Sequence, residues 1–194
     1  PIPNLLDLLK SPEDNVRERA KIELGARDTD SVIKAARQWV AALDPAAPEV
    51  EHHRMEALWV HQWHHVIDAD FLALMLRSPE PRARAAATRI LGNWREFLPN
   101  PLALLAPMAT DDHPRVRLEA VRVASFFRDV EAANIALASL AKPRDYYLDY
   151  VLGETMRQLE PYWRQAIADG RPFAPNNPAG LDYVLNRVSS DELL

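Results

Sequence analysis

Apolar positions recur along this chain at the three- and four-residue spacing of amphipathic helices, most clearly from Asp111 to Phe127, DDHPRVRLEAVRVASFF. Val116, Ala120, Val121, Val123, Ala124 and Phe127 form one stripe, and Arg115, Arg117, Glu119 and Arg122 lie largely off it. The pattern predicts a helix starting at His113, with Asp112 as its cap and Pro114 in the first turn, where a missing N–H costs nothing. SPEDNVRERA from Ser11 and SPEPRARAAA from Ser78 repeat the order: a cap, a proline, a small apolar residue, arginine, then alanine. Val16, Ala83 and Val116 align, as do Arg17, Arg84 and Arg117, and Ala20, Ala87 and Ala120.

The last step is about 33 residues and the first about twice that, so a degenerate copy is expected between them, at Glu56-Ala57 in HHRMEALWV. Further helices are predicted at Asn4 to Lys10, Ser11 to Gly25, Thr29 or Asp30 to Leu43, Glu49 to Val66, Ala69 to Arg77 and Ser78 to Phe97. Beyond these come Pro101 to Ala109, Val130 to Leu140, Pro143 to Leu159, Pro161 to Ala168 and Leu181 to Val188, with a further cap at Ser190. Paired helices at this period predict an all-α fold, an α-solenoid of HEAT or armadillo type with about four to five helix pairs. One domain spanning residues 1–194 is expected, cut from a longer chain, since Pro1-Ile2-Pro3 is no start signal and SSDELL stops one turn after its cap.

Composition narrows the chemistry. Sixteen prolines against five glycines suit many short helices better than a sheet. A formal net charge of −5 provides no basic field for a phosphate backbone, so nucleic acid is not expected as a partner. Cysteine is absent, which removes disulfides, thiolate nucleophiles and the C-x-x-C-H attachment of haem from this stretch. No apolar run reaches the length of a membrane span, so no membrane insertion by this segment is expected.

Three groups of residues could carry function. His61 and His64 stand three apart on the Glu49 to Val66 helix, with His52 or His53 upstream, a spacing that permits a metal, catalytic or haem-facing site. His53 and Glu56 do not complete a zinc-helix motif, because position 57 is alanine. The alternative is that Trp59 and Trp63 pack in the core while the histidines bond neighbouring loops or face solvent. Arg17, Arg84 and Arg117 could form a basic ladder that grips an acidic partner, or could set the register between repeats through ion pairs and hydrogen bonds. Tyr146, Tyr147 and Tyr150 in DYYLDY could form a docking surface or close the core of the last repeats.

The runs RDTDSVIKAARQWVAALD, EHHRMEALWVHQWHHV, LRSPEPRARAAATRILGNWR, HPRVRLEAVRVASFFR and KPRDYYLDYVLGETMRQLEPYWR resemble the HEAT-repeat segment of the large planctomycete-type membrane-bound dehydrogenases. In that family a sugar-dehydrogenase-like β-propeller, HEAT repeats and a C-terminal c-type cytochrome domain share one chain. The resemblance covers nearly all of the sequence, and the histidine-tryptophan helix and the DYYLDY to EPYW stretch are its most particular parts. It implies a non-catalytic spacer and protein-interaction module without a cofactor of its own. Its partners would be neighbouring domains of the same chain, and its location extracytoplasmic. No catalytic or haem-ligating residue transfers. A second reading, by analogy with HEAT-like DNA glycosylases, would place Trp59, Trp63, Trp94 and Glu56 on a substrate-binding face; the acidic net charge opposes it.

Overall fold

The computed structural model describes residues 1–186, and among these every regular element is helical. The α-helices are α1 (Ile2–Leu8), α2 (Asp14–Gly25), α3 (Thr29–Ala41), α4 (Val50–Trp63), α5 (Ala69–Met75), α6 (Pro81–Trp94), α7 (Pro101–Ala109), α8 (Pro114–Ala124), α9 (Val130–Ala138), α10 (Tyr146–Gln158), α11 (Glu160–Ala168) and α12 (Pro178–Leu185). Single 3-10 turns follow α6 and α9. The all-α solenoid class anticipated from the repeat period is the class observed. The chain forms two compact units, Pro1–Ile90 and a second from Leu91 onward, with the boundary inside α6.

In the first unit α1 packs on α2 and α3 on α4, while α1 also meets α3 and α2 meets α4. First helices therefore stack on first helices and second on second, which is how a helix pair that cannot bury its apolar face alone becomes stable. The core here gathers Leu6, Leu9, Ala20, Leu24, Val32, Ala36 and Val60, with Trp39 packed against its edge. Trp39 Nε1 donates to Asp7 Oδ1 at 3.0 Å, tying α3 to α1. That bond and the Lys10 ammonium hold the Asp7 carboxyl below its ordinary value.

In the second unit α7 and α9 stack, as do α8 and α10, and α9 also supports α11 and α12. α8 is enclosed by α7, α9 and α10, and Val116, Ala120, Val121, Val123 and Ala124 are fully buried. Each buried valine contributes roughly 1.5–3 kcal/mol of hydrophobic stabilisation, an upper range set by an extended unfolded reference. Thr155 Oγ1 of α10 donates to the Val121 carbonyl of α8 at 3.1 Å, adding a polar link between repeats.

Several helix starts differ from expectation. Asp112 does not cap α8; His113 does, its Nδ1 accepting from Arg115 N. Ser11 and Asp111 are likewise not helix caps. The Ser11 hydroxyl accepts from Glu13 N, that of Ser78 from Glu80 N, and Asp111 Oδ1 from His113 N, so each closes a turn two residues ahead of itself. α3 is capped by Asp28 rather than Thr29 or Asp30, and α10 begins at Tyr146 because Asp145 accepts from Leu148 N. α12 starts at Pro178 behind the Asn177 cap; Val188 and the cap expected at Ser190 lie outside the described residues.

Candidate interaction surfaces

The aligned arginines share one geometry. Arg17 Nη1 donates to the Ser11 carbonyl at 2.7 Å, Arg84 Nη1 to the Ser78 carbonyl at 2.8 Å and Arg117 Nη1 to the Asp111 carbonyl at 2.8 Å. Each guanidinium thus reaches back six residues to close the loop that leads into its own helix, while the side chain at the far end of that loop makes the turn just described. Arg84 and Arg117 take a second carbonyl each, from Pro79 and Asp112. Contacts also run to the next repeat: Arg117 Nη2 donates to the Pro143 carbonyl at 2.7 Å, and Arg17 Nε to Glu56 Oε1 at 2.9 Å. Arg117 is only 3% exposed, so its charge is directed to backbone dipoles and not to an outside partner. Its burial, with that of Glu119, also shows that the inward face of α8 is wider than its apolar stripe.

The α3–α4 loop keeps the turn but lacks the closing arginine. Asp44 Oδ1 accepts from Ala46 N, and the residue six places after Asp44 is Val50, not arginine. The degenerate copy nonetheless has its arginine: Arg54 stands three residues before the fully buried Ala57, the spacing of Arg17 to Ala20 and Arg117 to Ala120. That spacing was legible in the sequence. Arg54 pairs with Glu51 at 2.6 Å instead of closing a loop.

Glu56 lies almost wholly buried on α4, held by Arg17 and by Lys21 at 3.1 Å, with His52 Nε2 at 3.5 Å. Two cations from α2 meet this carboxylate, so it pins the first helix pair to the second and offers no free acid to a substrate. Trp94, grouped with it in the glycosylase-like reading, is buried.

The histidines have separate local partners. His61 is 0% exposed, and its Nδ1 donates to the Ala57 carbonyl at 2.9 Å, which leaves Nε2 as the lone-pair nitrogen, 3.8 Å from Asp68 Oδ2. Burial holds its pKa below the ordinary 6.5, against the Ala57 bond and Asp68, whose carboxylate is already engaged by Arg37. His64 bridges two other elements, donating from Nε2 to the Leu24 carbonyl at 3.2 Å and accepting at Nδ1 from the Thr29 hydroxyl at 3.1 Å. His52 is exposed on the opposite side of α4 from this pair. Among the described residues no three histidine or carboxylate side chains are grouped to hold a metal ion.

The tryptophans of α4 are not core residues. Trp63 is 48% exposed, its indole lying across the end of α2 where Gly25 allows contact; a Cβ there would sit 2.0 Å from Trp63 Nε1. Trp59 is half-buried and borders two grooves, one toward α2 and one toward α6. Lys21 Nζ stands 5.0 Å from its ring centroid on the α2 side.

On α10 the tyrosines face outward: Tyr146, Tyr147 and Tyr150 are 76%, 69% and 61% exposed, while Leu148, Leu152, Thr155 and Met156 turn inward. The Tyr146 and Tyr147 rings meet edge to face at 5.6 Å, and an Arg144–Asp149 ion pair lies beside them. Phe126, which the periodicity did not single out, is 38% exposed between the guanidinium groups of Arg95 and Arg122, 5.6 and 5.3 Å from its centroid.

Residues 69–157 match the HEAT repeats family. That span takes in α5 to α9 and all but the last residue of α10, so both Arg84 and Arg117 fall within it. No curated protein matches the chain. Among the described residues no helix is long and apolar enough to cross a membrane.

Proposed function

We propose that this chain is a non-catalytic, protein-binding scaffold without a cofactor of its own. We further propose that it is the rigid HEAT-repeat spacer between a dehydrogenase-like propeller and a c-type haem domain of a larger redox protein. Its partners are then neighbouring domains of the same parent chain, and nucleic acid is not among them. The observation that carries the binding role is the trio of exposed tyrosines on α10. Three large rings with polar tips, left in water on a helix whose other face is packed, are a costly arrangement for an isolated surface and a common one at interfaces. The spacer role rests on the sequence resemblance, and the stacking of helix pairs within each unit supports it.

The test is to titrate the purified chain with the adjoining domains of its parent by calorimetry, for wild type and for Tyr146→Ser/Tyr147→Ser/Tyr150→Ser. Binding weakened about tenfold or more, with Tm unchanged, is expected; equal binding would remove the tyrosine surface. A visible spectrum and metal analysis accompany it, with His61→Ala/His64→Ala as reference. A stoichiometric metal or chromophore lost in that variant would overturn the non-catalytic reading.

A further inference from the structure

We infer that the groove between α4 and α6 is a receptor for a basic side chain, lysine or arginine, carried by an extended segment of a partner polypeptide. This rests on the scaffold reading above but uses a different surface, in the first unit. The groove has a volume of about 510 Å³ and a floor formed by Met55, Trp59 and Ala83. An apolar floor of that kind suits the methylene stem of a long basic side chain.

The rim suits its charge. Glu49, Glu51 and Glu80 border the groove, with Arg82 and His52 on the same rim. Arg54 pairs with Glu51, and Glu49 and Glu80 then stand against the one guanidinium of Arg82, an excess of one negative charge on the rim. Glu49 is the natural candidate for it: exposed at the N-cap of α4, it makes no capping hydrogen bond with its side chain. Glu80 spends one oxygen on Arg82 N at 3.0 Å and keeps the other.

The aromatic wall already shows the required chemistry. On the other side of α4 the same Trp59 ring carries the Lys21 ammonium at 5.0 Å, within the range of a cation–π contact. A partner cation entering the α6 side would meet the same indole together with the free carboxylate of Glu49. The net charge of −5 draws basic segments toward the protein at low salt.

The experiment measures fluorescence polarisation of a labelled dodecapeptide of alternating lysine and alanine with the 194-residue chain at low salt. It is run at about pH 8, where an ordinary imidazole is neutral. A glutamate-alanine peptide is the control. Saturable binding of the lysine peptide alone is expected, weakened about tenfold in Glu49→Gln/Glu80→Gln and in Trp59→Ala. Both glutamates are on the surface, so the double variant remains folded even if Trp59→Ala does not, and its Tm is measured alongside. Ala86→Arg, which brings a cation into the groove in cis, should block the peptide. The proposal falls if no binding occurs up to about 1 mM, if both peptides bind alike, or if the lysine peptide binds the glutamate variant as tightly as wild type. The tyrosine triple variant should bind the peptide normally; loss of neighbouring-domain binding in that variant, with peptide binding retained, separates failure of the one surface from failure of the other.

Discussion

α4 and α8 are second helices of their pairs, each with an arginine three residues before a fully buried alanine, yet they use that position in opposite ways. In α8, Arg117 is enclosed and donates to carbonyls of its own loop and of the next. In α4, Arg54 pairs one turn away with the buried Glu51, its loop being turned by Asp44. Around Arg117 the neighbouring face is packed by α7, α9 and α10. Around Arg54, whose loop keeps the aspartate turn but has no closing arginine, α4 presents Trp63 and His52 outward and leaves Trp59 half-buried. One repeat position can therefore hold the architecture in one copy and release surface for recognition in another.

Arg117→Ala gives the largest expected effect. It removes charged hydrogen bonds to three carbonyls and should cost about 3 kcal/mol in urea unfolding. Arg117→Lys should recover less than half of that, because one ammonium cannot span both loops. Glu56→Gln comes next, at about 2 kcal/mol, since Arg17 and Lys21 keep a polar partner but lose a charged one. Arg54→Ala sharpens the contrast: it leaves the buried Glu51 without its cation and should cost about 1–2 kcal/mol, and a loss matching that of Arg117 would erase the distinction between the two helices.

The smallest expected effect depends on pH. Burial favours neutral His61, so the unfolded chain binds a proton more readily than the folded one. Stability is full above the ordinary value of 6.5 and is lost progressively as pH falls below it toward the folded value. His61→Gln should flatten the change in urea midpoint between about pH 7.5 and about pH 5.5; an unchanged slope would assign the effect to another group, His53 being the next to consider because burial lowers it in the same direction.

Helix number and order were legible in the sequence because proline, a turn residue and an apolar stripe recur together, and Pro101–Ala109 was placed to the residue. The bounds of the other helices drifted where serine or aspartate serves the turn instead of the cap, since either role uses the same residue types. Burial of Arg117 and Glu119 was not legible: the stripe rule assumes one covered face, and α8 is covered by three neighbours. Trp59 and Trp63 misled in the other direction. Their spacing of four places them on one face, but periodicity cannot say whether that face meets protein or water. The outward turn of the α10 tyrosines follows from the same gap, whereas the replacement of small residues by tyrosine was visible in the letters.

The arginine closures also bear on the order in which the chain folds. Each joins backbone and side chain only six residues apart, a ring that an unfolded chain closes on the order of 10–100 ns. The loop and first turn of each second helix can therefore form before any distant segment arrives. Contacts such as Arg117 to the Pro143 carbonyl then extend structure from one repeat to its neighbour in short steps of low contact order.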